Sequence, residues 1–264
     1  MARTILFITS FIIGCSSGYK VDNLPKEHFK LPVIIQTKLT GRATYFNENN
    51  LSEVWPKFVG QFKFTDTIYY DGERERRMAV SKDQFMWEQK PFKFDTLSSD
   101  GLQIMPDYNS DVIFWETATD TVEHYYYPIY IVNETTVPKI FIGKDSYVFA
   151  IQEAMDSNYY SGWYAIEGKG FDFCGNGHFR RKILPGEFIM FLLPKYSGSE
   201  RTFLRVRAKI GDNIILSKPF KGEINSSQFI IKKGSLYDDE LKDTKNAAIY
   251  WIFYGANIKT IENR

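Results

Sequence analysis

From residue 128 to 220 apolar and polar residues alternate in short runs, the period-2 pattern of half-buried strands. Seven strands are predicted: Pro128–Asn133, Ser146–Gln152, Trp163–Ile166, Phe179–Ile183, Glu187–Leu193, Thr202–Ile210 and Asn213–Phe220. Turn residues separate most of them, at Asp156-Ser157-Asn158, Gly175-Asn176-Gly177, Pro185-Gly186, Ser197-Gly198 and Gly211-Asp212-Asn213. Leu204, Val206 and Ala208 alternate with Arg205, Arg207 and Lys209, which predicts one buried and one cationic face. The Gly211–Asp212 turn then returns the chain into Ile214–Leu216 as a hairpin. Short strands at this spacing imply an antiparallel β-sandwich of immunoglobulin-like size. The Cys-Trp-Cys core of antibody domains is absent, so the architecture alone is implied.

Residues 31–127 are strand-like but irregular. Phe58, Phe62 and Phe64 fall on one face of an alternating run with Gly60 between them. Thr67–Tyr70 runs into an Asp71-Gly72 turn, and Arg76–Val80 is the expected return strand. Leu102–Met105 and Val112–Trp115 are short apolar runs. After residue 220, Asn225 or Ser226 is placed to cap a short helix through Lys232. Ile249–Tyr254 is aromatic and β-branched and reads as a late strand packing on the N-terminal half, with a helix from Asp239 to Phe253 as the alternative. The expected fold is therefore mainly β, an immunoglobulin-like antiparallel β-sandwich over 128–233. An irregular β-rich region over 31–127 and a short helix or strand segment over 234–264 accompany it.

Composition removes several classes. The 264 residues hold 44% hydrophobic and 25% charged residues, with aromatics at 17%, which excludes a disordered or coiled-coil chain. With 33 Lys and Arg against 32 Asp and Glu, nothing favours nucleic acid as a partner. Two cysteines cannot build a disulfide framework.

The first residues read as an address. Met1-Ala2-Arg3 precedes an apolar run from Ile5 to Ile13 that ends in Ile12-Ile13-Gly14-Cys15. Nine helical residues span roughly 14 Å, too short for a bilayer and the right length for a secretory leader. This segment resembles the lipobox of bacterial lipoproteins. The resemblance implies cleavage after Gly14, a leader over 1–14 and diacylglyceryl on the Cys15 sulfur. Residues 15–30 become a lipidated tether. Acyl chains contribute roughly 0.8 kcal/mol per buried CH₂, enough to hold the chain on a membrane. The mature chain loses Arg3 and keeps 32 basic and 32 acidic residues, so the lipid alone anchors it. Ser16 after Cys15 points by the family's rule to the outer membrane. Cys174-Gly175-Asn176 and the strand pair after it loosely resemble uncharacterised sandwich domains of such envelope lipoproteins, a resemblance that carries no activity.

Candidate chemistry is sparse. Asp172, Cys174 and His178 place a carboxylate, a thiol and an imidazole around a Gly-Asn-Gly turn, the ingredients of a nucleophilic or metal site. The competing reading is a tight turn with a buried cysteine. Gly168-Lys169-Gly170 reads as a turn. Tyr159, Tyr160 and Trp163 are the aromatic residues expected to contact a ligand, whereas Tyr125–Tyr127 read as core and edge packing. Arg205 and Arg207 are the basic candidates for an anion. No cofactor, metal or catalytic set is expected. The chain reads as a lipid-anchored binding or interaction module, for a glycan or an envelope protein. A structural envelope component and a hydrolase using Cys174 and His178 are the alternatives.

Overall fold

Residues 126–133 and 187–194 are apolar almost without interruption, and such runs form strands only where both faces of a sheet are covered. The computed structural model describes residues 28–37, 43–70, 97–114, 123–145, 147–156, 162–172 and 177–259. Among them the N-terminal strands are β1 (Val33–Gln36), β2 (Ala43–Thr44), β3 (Ser52–Val54), β4 (Lys57–Lys63), β5 (Thr67–Tyr70), β6 (Gln103–Pro106) and β7 (Val112–Phe114). There follow β8 (Glu123–Asn133), β9 (Lys139–Lys144), β10 (Ala150–Asp156), β11 (Gly162–Ala165), β12 (Glu167–Lys169), β13 (His178–Ile183), β14 (Glu187–Pro194), β15 (Glu200–Ile210), β16 (Asn213–Leu216) and β17 (Phe220–Ile224). One α-helix, α1 (Leu236–Phe253), closes the described chain. The fold is mainly β.

The central sheet runs β2-β8-β14-β4, with β6 and β7 also pairing with β8. A second sheet runs β11-β10-β15-β16, with β17 on β15. Alternate residues of the central strands serve two cores. Tyr127, Ile129, Ile131, Ile189, Phe191 and Leu193 meet Leu204, Val206 and Ala208 of the second sheet. Tyr126, Tyr130, Val132, Phe188, Met190 and Leu192 pack instead with Phe29, Ile68, Val112 and Phe114. A boundary at 127/128 thus falls inside β8, and strands from residues 43–114 complete the sheet that β8 and β14 begin. Pairing is not wholly antiparallel: β1 with β5, β2 with β8 and β3 with β12 run parallel.

Several expectations change. Phe58, Phe62 and Phe64 do not share a face. The register shifts where Met190 pairs with Gly60 but Phe191 pairs with Phe58, so Val59 is an extra residue. One extra residue reverses the side-chain alternation, sending Phe58 into the first core and Phe62 and Phe64 against the second. Gly168-Lys169-Gly170 is not a turn; its first two residues belong to β12, in parallel register with β3. The expected strand Asn213–Phe220 breaks into β16 and β17. Between them Ser217 Oγ accepts from Val206 N at 2.9 Å, and Pro219 has no N–H for a ladder. Arg76–Val80 lies outside the described residues.

Ile249–Tyr254 is helical, not a strand. Ser235 caps α1 by accepting from Asp238 N, and Asp238 and Asp239 complement the helix dipole. Tyr254 ends it in the left-handed conformation. Tyr237, Ala248, Ile252 and Phe253 are buried on one side, and β12 is the strand α1 packs on most closely. Gly168 permits this approach, because a Cβ there would lie 2.7 Å from the Tyr237 ring and 3.0 Å from that of Phe253. Helical backbone is interrupted at Thr244 (φ −141°, ψ 47°).

Beneath this helix sits a carboxylate with no cation paired to it among the described residues. Glu167 is fully buried and accepts from Gln152 N at 2.6 Å, Gln152 Nε2 at 2.7 Å and the Tyr196 hydroxyl at 2.7 Å. Burial pushes its carboxyl up to about 7, against the pull of those hydrogen bonds.

Candidate functional site

Four local structures end close together. The β9–β13 pair places Lys144 opposite His178. The tail of β12 supplies Lys169, Gly170, Phe171 and Asp172; the β15–β16 turn supplies Lys209, Gly211 and Asp212. Across these ends lies α1, from Glu240 to Tyr254, including the interruption at Thr244. They enclose a cavity of about 560 Å³, the size of a small-molecule site.

The lining is amphiphilic. Tyr254, Ile252 and Ala248 are buried in its wall beside half-buried Phe149, Ile142 and Phe171, while Trp251, Ala247, Thr244, Asp212 and His178 reach solvent. Lys144 is 2% exposed and pairs with Asp172 Oδ2 at 2.5 Å. The same carboxylate oxygen accepts from the Tyr147 hydroxyl at 2.9 Å. Burial, then Asp172, drives the Tyr147 phenol far above its ordinary range.

Lys169 and Lys209 are placed differently. Lys169 Nζ donates to the Asp172 carbonyl at 3.3 Å and lies 5.6 Å from the Phe149 ring centre. Lys209 Nζ lies 4.1 Å from the Tyr250 ring centre and 4.5 Å from that of Trp251. Neither ammonium has a carboxylate oxygen within ion-pairing distance among the described residues. Burial first, then Lys144, with Lys209 adding and Asp172 opposing, holds Lys169 below the usual lysine range. Partial burial, then Lys144 and Lys169, likewise lowers His178.

Among the described residues no cluster of His, Cys, Asp or Glu has the form of a metal site. His178 and Asp172 both line the cavity, but Asp172 is engaged by Lys144 and Tyr147, and Cys174 lies outside the described residues. Cys15, Tyr159 and Tyr160 lie outside them too. Trp163, in β11, is covered by the Arg205 guanidinium at 4.3 Å from the ring centre. Arg205 Nε reaches Glu153 Oε2 at 2.6 Å and Arg207 Nε reaches Glu153 Oε1 at 3.1 Å. Glu153 is itself 1% exposed, so both arginines are held in the structure. Arg207 also donates to the Tyr254 carbonyl at 3.2 Å, behind the cavity wall. Tyr126 and Tyr127 are buried, and Tyr125 packs at a tilt on Tyr45 with ring centres 4.7 Å apart, as packing residues.

Sequence reasoning passed over Lys144, Lys169 and Trp251. Lys209 carried a signal as the last cation of the β15 face, and Asp172 and His178 as groups flanking the Gly-Asn-Gly turn. Comparison of the chain with protein-family models, with curated proteins and with solved structures finds no match. Among the described residues no helix is long and apolar enough to cross a membrane.

Proposed function

We propose that this chain is a lipid-anchored binding module of a bacterial cell envelope, and that its ligand occupies the cavity under α1. The anchoring rests on Ile12-Ile13-Gly14-Cys15, whose Cys15 carries the acyl groups and holds the protein on the outer membrane. Binding rests on one observation: a cavity of about 560 Å³ walled by aromatic and aliphatic side chains, with a few charged groups converging on it. A component that merely fills or braces the envelope has no use for such a chamber. Two measurements test the two halves. Mass spectrometry of the purified native protein is expected to find an acylated Cys15 at the mature N-terminus; a bare thiol or an intact leader removes the anchor. Native mass spectrometry after incubation with an envelope small-molecule extract is expected to show a retained species. That species should disappear in Ala247→Trp, which plugs the opening. Equal retention by both proteins removes the cavity as the site.

A further inference from the structure

The cavity's charges differ in the partners they have. Asp212 is exposed, and the half-buried Glu240 carboxylate accepts from the Thr244 hydroxyl at 3.4 Å. Lys144 is satisfied by Asp172, whereas Lys169 and Lys209 are half-buried and face aromatic rings in place of carboxylates. An ammonium removed from water without a counter-ion is costly, and an anion placed between two of them recovers that cost. Ring surface stands beside both: Phe149 next to Lys169, Trp251 under Lys209, and Tyr254 6.4 Å from Phe149.

Resting on the reading of this cavity as the ligand site, we infer that it receives a small aromatic acid with a single negative charge. Lys169 and Lys209 take the acid group, and the ring lies against Phe149 and Tyr254 with Trp251 at the edge. Two carboxylates in the same lining, Asp212 and Glu240, disfavour ligands carrying several negative charges. A low lysine basicity at Lys169 agrees with the arrangement, since a bound anion supplies what its neighbours take away.

The test uses two probes of nearly the same shape, 8-anilinonaphthalene-1-sulfonate, which is a monoanion, and N-phenyl-1-naphthylamine, which is neutral. Both become fluorescent in apolar sites. The protein used is residues 16–264, without leader or acylated Cys15, so that no acyl group or detergent is present. The sulfonate is expected to bind at one site, to be lost in Ala247→Trp, and to weaken about tenfold or more in Lys169→Gln, the scale of one charge-assisted hydrogen bond. The neutral probe is expected to bind Lys169→Gln as it binds the parent, which also shows that the variant is folded. If Lys169→Gln melts early, Lys209→Gln provides the same comparison. Equal binding of both probes, lost in Ala247→Trp and untouched by either lysine change, overturns the acid while leaving the cavity as the site. Absence of saturable binding, or binding that Ala247→Trp leaves intact, overturns both.

Discussion

Along the outer face of β15 three cations stand two residues apart, and their surroundings divide them. Arg205 and Arg207 converge on the buried Glu153 and are covered by Trp163 and the end of α1. Lys209, one step further along the same face, meets one phenol and one indole ring and opens onto the cavity. The difference separates a charge that is part of the scaffold from a charge available to a ligand. A guanidinium pair around one carboxylate forms a fixed unit with its hydrogen bonds made. An ammonium over aromatic faces keeps donors unspent.

The strongest way to break this contrast is Glu153→Gln. It leaves two largely buried guanidinium groups without their carboxylate, and we expect a loss of about 3 kcal/mol or more in denaturant unfolding. A loss below about 1 kcal/mol would put Arg205 and Arg207 in the same class as Lys209.

Glu167 sharpens the contrast from the opposite side, as a buried carboxylate with hydrogen bonds but, among the described residues, no paired cation. Its carboxyl is raised from 4.5 to about 7 in the folded chain. Below pH 4.5 it is protonated whether folded or unfolded and costs nothing. Between pH 4.5 and 7 the unfolded chain ionises while the folded chain keeps its proton, so stability is lost as pH rises. The gap corresponds to about 3 kcal/mol. Unfolding curves across pH 4 to 8 should show this decline, flattened in Glu167→Gln. An unchanged slope would locate the titration elsewhere.

Gly168→Ala tests what shapes the cavity. The added Cβ collides with the Tyr237 and Phe253 rings, so α1 must lift. We expect a cost of about 2 kcal/mol together with weakened probe binding. Stability loss with intact binding would detach the helix from the site. The smallest effect belongs to Lys209→Gln, which removes a cation over two rings and should change stability by less than about 1 kcal/mol.

Much of the strand framework was legible in the sequence. β5, β13, β14 and β15 lie within two residues of their expected ends, because alternation and Gly or Pro turns are local signals. The Gly211–Asp212 hairpin forms with Ile210 opposite Asn213. What escaped depends on distant partners. β12 is three residues long and exists through its parallel pairing with β3. The extra residue at Val59 shows only against β14. At Ile249–Tyr254, β-branched and aromatic composition suggested a strand, yet capping at Ser235 and burial of Ile252 and Phe253 override that propensity. The cavity was least legible. Lys169 between two glycines has no period or motif, and its place among Lys144, Lys209 and Phe149 is set by four separate elements.

The most direct test is a crystal structure of residues 16–264 with 8-anilinonaphthalene-1-sulfonate. The account predicts a sulfonate oxygen within hydrogen-bond distance of Lys169 Nζ or Lys209 Nζ, rings against Phe149 and Tyr254, and Glu153 still clasped by Arg205 and Arg207. A sulfonate seated on those arginines, with Glu153 displaced and the cavity under α1 empty, would contradict it.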